Sequence, residues 1–231
     1  NNWKNNNKKK IVFLGDSVTY GGSSIDDKDL FSHIVCKKLN EYLCGNAGVN
    51  SYGVYNTVMR SRFDKRIQNA DFFIFLFPPD DFLRNFRGKD TAHFYLNNKS
   101  YLLPAITEAI NFISTKFDLN KYISKSNDTV PNVNDKLSYI DYSVELLSNE
   151  IKSKITENKN IIVFLSNRKD DKLFENRINE YIKKKLIDNI DIIILDDVLN
   201  KDEYFFDHSV HLSKKGHSIV ADKIVKVIEN Y

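Results

Sequence analysis

The stretch Ile11-Val12-Phe13-Leu14-Gly15-Asp16-Ser17-Val18-Thr19-Tyr20-Gly21 predicts a buried β-strand that ends in a tight turn. Four apolar residues come first, and Gly15-Asp16-Ser17 follows them directly, which is typical of a strand bounded by turn residues. Open α/β sheets bind their ligands at the carboxyl ends of their strands, so Ser17 would lie at the functional edge of the sheet. The alternative is that Ser17 is a plain turn residue or a helix N-cap without a functional role. The rest of the sequence has to distinguish between the functional and the structural interpretation.

Strands and helices alternate along the rest of the chain. Apolar runs predict further strands over residues 42–48, 71–77, 160–166 and 190–195. Helical spacing of apolar residues predicts helices over 30–43, 54–67, 101–117, 137–155 and 173–186, and a last helix that runs from Ser213, its N-cap, to Ile228. This alternation predicts an α/β fold, a three-layer α/β/α sandwich around a five-stranded parallel sheet.

Length and charge limit the class of protein. The 231 residues suit a single domain over 11–231, preceded by a polar linker or disordered end over 1–10. The 34 Lys and Arg residues are interspersed with 31 Asp and Glu residues, so we expect no nucleic-acid partner. No apolar run approaches the ~18 residues of a membrane span. Cys36 and Cys44 are expected to be buried thiols rather than a disulfide. Because the chain starts at Asn1, its compartment is not predicted: it is either the cytoplasm or a location set by an upstream targeting segment that is absent here. Its oligomeric state is not predicted either.

Polar residues follow several of the predicted strands. Ser17 follows the first strand, Gly53 the second, Asp80 and Asp81 the third, and the segment 207–211 the fifth. Parallel strands end at the same edge of a sheet, so these residues would converge near the switch point between strands one and three.

The residue types at this edge suit nucleophilic catalysis. A serine hydroxyl needs a base within hydrogen-bond reach, and the base needs a carboxylate that fixes its tautomer. His211 is the predicted base and Asp207 the predicted carboxylate. The backbone N–H groups of Ser17 and Gly53 are the predicted donors to an oxyanion, and Gly53 has no side chain that would block a substrate.

The same segments resemble, in order, the conserved blocks of the GDSL/SGNH hydrolases. Gly15-Asp16-Ser17-x-Thr19 resembles block I, residues 46–53 block II, 77–81 block III and 207–217 block V. Together with the number of predicted strands, the resemblance implies a flavodoxin-like order 2-1-3-4-5, and it implies a serine esterase without a cofactor. The candidate site residues are catalytic Ser17, His211 and Asp207, oxyanion-hole Ser17, Gly53 and Asp80, and substrate-binding Asp16, Asn50 and Asp81.

Two positions depart from the family pattern. Asp80 replaces an asparagine that donates to the oxyanion in the family, and losing one such donor costs about 10²–10³ in rate. Asp80 would donate only when protonated. Asp207 lies one residue further from His211 than usual, with His208 in the usual place. A one-residue bulge would still place Asp207 beside His211. Without such a bulge, the site is a Ser-His dyad.

The first functional interpretation is a serine esterase that acts on a small acyl ester, such as an O-acetyl group of a carbohydrate. An O-acyltransferase of the same fold is one alternative, and the acceptor pocket decides between them. Another alternative is a catalytically weakened domain that binds a glycan or a protein partner. The presence of Asp80 in place of the family's asparagine supports this alternative. A metal cluster of His208, His211 and His217 is disfavoured because no carboxylate or cysteine spacing accompanies them. His217 is expected to be structural.

Residues at about 90–158 form a helical insertion that the resemblance does not explain. Its helices at 101–117 and 137–155 are predicted to lie beside the site as a cap or acceptor wall, because long insertions in compact domains are usually functional or disordered. Phe94, Tyr95 and Tyr101 would suit stacking on a sugar ring.

Overall fold

Five parallel strands form one sheet in the computed structural model, which describes residues 7–21, 25–84, 133–157, 159–166, 182–184, 191–195, 198–206 and 211–231. The strands are β1 (Lys9–Gly15), β2 (Tyr42–Asn46), β3 (Phe72–Phe77), β4 (Asn160–Leu165) and β5 (Asp191–Ile194). Their order is 2-1-3-4-5, and each neighbouring pair is parallel. The predicted strand order is therefore confirmed.

Helices cover both faces of the sheet. They are α1 (Ser17–Tyr20), α2 (Phe31–Lys38), α3 (Val54–Phe63), α4 (Asp81–Arg84), α5 (Val133–Thr156) and α6 (Lys214–Ile228). Side chains of α2 and α6 share one buried cluster with one face of the sheet, and side chains of α3 and α5 share a second cluster with the other face. These layers confirm the predicted α/β/α sandwich.

The central strand β3 has both faces buried. Phe72, Ile74 and Leu76 lie in the cluster with α2 and α6. The alternate side chains of the strand point the other way, into the cluster with α3 and α5. The strand ends before Pro78 because proline has no N–H to donate to the ladder. Gly15 of β1 pairs with Leu76 of β3, so the turns after these two strands start side by side.

Several helices and strands begin or end at other residues than the sequence predicts. Lys9 and Lys10 belong to β1 rather than to the predicted linker at 1–10, because they pair with Tyr42 and Leu43 of β2. Because Tyr42 and Leu43 belong to β2, the predicted helix over 30–43 cannot extend to its predicted end, and α2 ends at Lys38. The predicted helix at 54–67 ends at Phe63.

Other predictions concern the helices and cysteines. The helix predicted at 137–155 is contained in α5. Its side chains Ile140, Val144, Leu147 and Ile151 are buried in the cluster with α3 and one face of the sheet, so this helix is a layer of the sandwich and not the predicted cap or acceptor wall. Ser213 is the N-cap of α6, as predicted, and accepts a hydrogen bond from the Gly216 N–H. Cys36 and Cys44 are free thiols, but each is only partly buried. The helix predicted at 101–117, the aromatic residues predicted to stack on sugar (Phe94, Tyr95 and Tyr101) and most of the helix predicted at 173–186 lie outside the described residues.

Candidate active site

Ser17 is the first residue of α1, directly after the turn that ends β1. Asp16 caps this helix, and its Oδ1 accepts a hydrogen bond of 2.8 Å from the Val18 N–H. Gly21 ends the helix in the left-handed region, with φ at 97°, which glycine adopts without steric cost. A single turn of helix between a capping aspartate and a terminal glycine therefore holds Ser17 at the carboxyl edge of the sheet, where its side chain stays partly exposed.

His211 meets Ser17 across 194 residues of sequence, with its Nε2 2.9 Å from the Ser17 Oγ. A short antiparallel pairing holds the histidine in place: Phe205 bridges to Leu212, and the Phe206 N–H donates to the His211 carbonyl at 2.9 Å. The pairing fixes the backbone at His211 and Leu212, directly before α6. The predicted nucleophile and the predicted base, which come from separate motifs, thus lie in hydrogen-bond contact.

A second acceptor also lies near the Ser17 hydroxyl. Asp16 Oδ2 is 3.3 Å from the Ser17 Oγ. One hydroxyl hydrogen cannot serve both acceptors, and the shorter contact, to His211, is the one that suits proton transfer.

Asn46 organises the start of the loop after β2. Its Nδ2 donates to the Thr19 carbonyl at 2.7 Å and to the Ser32 Oγ at 3.0 Å. Its Oδ1 accepts from the Gly48 N–H at 2.9 Å. One side chain thus ties the loop to both α1 and α2. The only sequence signal for this role is an Asn at a strand end, two residues before a glycine.

The remainder of this loop carries the predicted oxyanion donor. Gly53 is buried and is the N-cap of α3, at the carboxyl edge of the sheet. Before it, Val49 and Tyr52 close a turn in which Ser51 is left-handed, with φ at 64°. Asn50 is exposed in this turn and remains a candidate for substrate binding.

Three aspartates at this edge have different surroundings. Asp80 is partly exposed in the turn between β3 and α4. Asp81, the first residue of α4, is fully buried, and so is Asp16. Full burial does not fit the prediction that Asp16 and Asp81 contact substrate. The carboxylate of Asp16 instead caps the helix that carries Ser17, by accepting a hydrogen bond from the Val18 N–H.

His217 occupies a buried position on α6, which fits the predicted structural role. Its Nδ1 accepts a hydrogen bond of 3.3 Å from the Phe31 N–H, and its ring stacks on the Phe31 ring with centroids 5.7 Å apart. Burial lowers the pKa of this imidazole from 6.5 to about 4; nearby His211 acts in the same direction and Asp29 opposes it. The neutral ring therefore serves as an acceptor that links α6 to α2.

Asp207 and His208 lie outside the described residues, so the third member of the triad stays a prediction. Within the described ranges, no group of three or more His, Cys, Asp or Glu side chains is placed to hold a metal ion. No helix in that part of the chain is both long and apolar enough to cross a membrane.

No family model and no curated protein matches this sequence. Solved structures do match. A catalytic mutant of an acetylxylan esterase from Geobacillus stearothermophilus has a TM-score of 0.60 at 16% identity, covering 94% of this chain and 93% of that chain. A lipase/acylhydrolase from Enterococcus faecalis has a TM-score of 0.58 at 17% identity, covering 96% of each chain. A protein assigned to the G-D-S-L lipolytic family, from Desulfitobacterium hafniense, has a TM-score of 0.53 at 14% identity, covering 95% of this chain and 99% of that chain. At these identities the likeness concerns the fold alone: this chain has an SGNH/GDSL hydrolase-like fold, an α/β sandwich with strand order 2-1-3-4-5.

Proposed function

We propose that this protein is a serine esterase that removes small acyl groups, acetyl first among them, from a carbohydrate. One observation carries the proposal: the Ser17 Oγ lies 2.9 Å from the His211 Nε2 at the carboxyl edge of the sheet. This is the contact that an activated serine nucleophile requires. The similar folds of an acetylxylan esterase and an acylhydrolase support an ester as substrate, and the first of them supports a carbohydrate.

The first half of the reaction transfers the acyl group to the protein. The Ser17 Oγ attacks the ester carbonyl carbon while the His211 Nε2 takes its proton. The carbonyl oxygen becomes an anion, to which the backbone N–H groups of Ser17 and Gly53 would donate. The first N–H groups of a helix have no acceptor within it, which suits both positions. The carbon–oxygen bond to the sugar then breaks, and the proton on His211 passes to the leaving sugar oxygen.

The second half releases the acid. Water attacks the acyl-enzyme carbonyl and gives a proton to the His211 Nε2. The tetrahedral intermediate collapses, the Ser17 Oγ recovers that proton, and the free carboxylic acid leaves. Asp207 would fix the His211 tautomer through its Nδ1–H; without it, Ser17 and His211 act as a dyad. If a sugar hydroxyl replaces water, the same acyl-enzyme makes the protein an O-acyltransferase.

Asp80 favours a second candidate, a weakened domain that binds a glycan or a protein partner without turnover. The residue lies at the edge where the family has a donor to the oxyanion, and an ionised carboxylate there would repel that charge. Covalent labelling separates the two candidates, since a fluorophosphonate reacts with an activated serine and leaves an inactive one unmodified.

The test compares fluorophosphonate labelling and acetate release from an acetylated xylo-oligosaccharide in wild type, Ser17→Ala and His211→Gln. We expect labelling at Ser17, no labelling of Ser17→Ala, and a loss of acetate release of at least about 10³-fold in both variants. Ser218→Ala on α6 and His33→Gln on α2 are matched controls that should retain activity. Acetate release by folded Ser17→Ala protein would contradict the mechanism. A wild type that neither labels nor turns over would favour the binding domain, and acetyl transfer to an added sugar would favour the transferase.

A further inference from the structure

Tyr20 is exposed although it belongs to the helix that carries the nucleophile. Its relative exposure is 50%, whereas Val18 and Thr19, on the same single turn of helix, are buried. The open face of α1 therefore consists of Ser17 and Tyr20. Other exposed large apolar side chains of the described residues, such as Phe63, lie on elements without a candidate catalytic residue.

Helix geometry places the tyrosine ring close to the nucleophile. Residues three apart on a helix are neighbours on one face, with Cβ atoms about 5–6 Å apart. Long helical side chains also lean towards the helix N-terminus. From these two rules we expect the Tyr20 ring to lie over the turn that begins with Ser17, on the side that a substrate would approach.

The backbone beneath this ring is held from several directions. The Tyr20 N–H donates to the Asp16 carbonyl at 2.9 Å, and the Gly21 N–H donates to the Ser17 carbonyl at 2.8 Å. Asn46 donates to the Thr19 carbonyl, and Gly48 packs against the Tyr20 backbone nitrogen without room for a Cβ atom. An aromatic side chain on a fixed backbone costs little entropy to order when a ligand arrives.

We propose that Tyr20 is the platform on which the sugar ring of the substrate stacks while its acyl group faces Ser17. The inference rests on the proposed esterase function and names the part of the substrate that gives selectivity. Tyrosine has a flat apolar face and a polar tip. A pyranose ring likewise has an apolar C–H face and hydroxyl groups at its rim, so the two surfaces match in polarity and shape.

The test measures selectivity, defined as kcat/KM for an acetylated methyl xyloside divided by kcat/KM for ethyl acetate, which has no ring. Tyr20→Ala should lower this ratio about tenfold, mainly through KM for the xyloside, a change that corresponds to one stacked ring. Tyr20→Phe should keep most of the ratio because it keeps the ring. Phe63→Ala, which removes an exposed aromatic ring at the far end of α3, should leave the ratio at its wild-type value.

The outcomes separate this inference from the proposed function. An unchanged ratio in Tyr20→Ala protein, with both reactions measurable, overturns the platform. Equal losses on both esters also overturn it, because they would mean that Tyr20 only supports the position of Ser17. If the wild type turns over neither ester, the proposed function fails, and the platform is tested by saturation-transfer NMR with unacetylated xylo-oligosaccharide. A signal in wild type that is lost in Tyr20→Ala then supports it, and equal signals overturn it.

Discussion

Acidification should destabilise this protein through His217. This side chain is 1% exposed, and its Nδ1 accepts a hydrogen bond from the Phe31 N–H, which requires an unprotonated nitrogen. Burial lowers the folded-state pKa to about 4, with His211 adding to the shift and Asp29 on the 3-10 turn before α2 opposing it. In the unfolded chain the pKa returns to about 6.5.

The sign of the effect follows from these two values. Between pH 6.5 and pH 4 the unfolded state binds the proton and the folded state does not, so the free energy of unfolding falls as the pH falls. The contribution of this imidazole is present in full above about pH 7. Relative to pH 7, about 2 kcal/mol is lost by pH 5 and about 3 kcal/mol by pH 4.

The assay is urea unfolding of wild type and His217→Asn at pH 7, 6, 5 and 4. The Asn Oδ1 can replace Nδ1 as the acceptor for the Phe31 N–H but does not titrate. Loss of the ring should make the variant less stable than wild type at pH 7, and the difference should shrink by about 2 kcal/mol at pH 5. His33→Asn is the matched control, because His33 is exposed on α2 and lacks the burial that drives the effect.

Wild-type and His217→Asn stabilities that decline in parallel from pH 7 to pH 4 would refute the reasoning. They would mean that His217 takes up its proton equally in the folded and unfolded states, or that Asp29 compensates the charge in the folded protein. Other carboxylates also lose stabilising contacts in this range. The comparison of the two proteins cancels their contribution, so the absolute decline of wild type is not the measured quantity.

Two further predictions concern Asp80, a predicted oxyanion-hole residue, and Gly48, which packs against the helix that carries Ser17. Asp80→Asn should raise kcat/KM for an acetyl ester by about tenfold or more, because it replaces a carboxylate with a neutral donor; a lower rate across the pH range, measured with initial velocities, would assign Asp80 another role. Gly48→Ala should lower both the Tm and kcat/KM, because a Cβ atom there would overlap the Tyr20 nitrogen and lie 2.8 Å from the Thr19 carbonyl carbon, displacing the helix that carries Ser17. Thermal unfolding and initial rates measure the two effects, and a wild-type Tm with wild-type activity would contradict this packing.

The sequence by itself determined the elements and their class. Continuous apolar runs such as 71–77 identified strands buried on both faces, and Ser213 marked the start of the last helix. These signals are local, because strand burial and helix capping depend on residues close together in the chain. The placement of Ser17 at a strand end followed from the same pattern. The strand order needed the number of predicted strands and the family resemblance in addition.

Tertiary structure decided how the side chains at that edge are used. The contact between Ser17 and His211 joins residues 194 apart, and a sequence pattern carries no such distance. Asp16 and Asp81, which the sequence predicted as substrate ligands, are fully buried, and this burial depends on tertiary packing that the sequence does not show. The same holds for Tyr20, whose exposure on the helix that carries Ser17 is set by packing on the other side of α1. Helical periodicity fixes which residues share a face, but only the packing of helix against sheet fixes which face meets solvent.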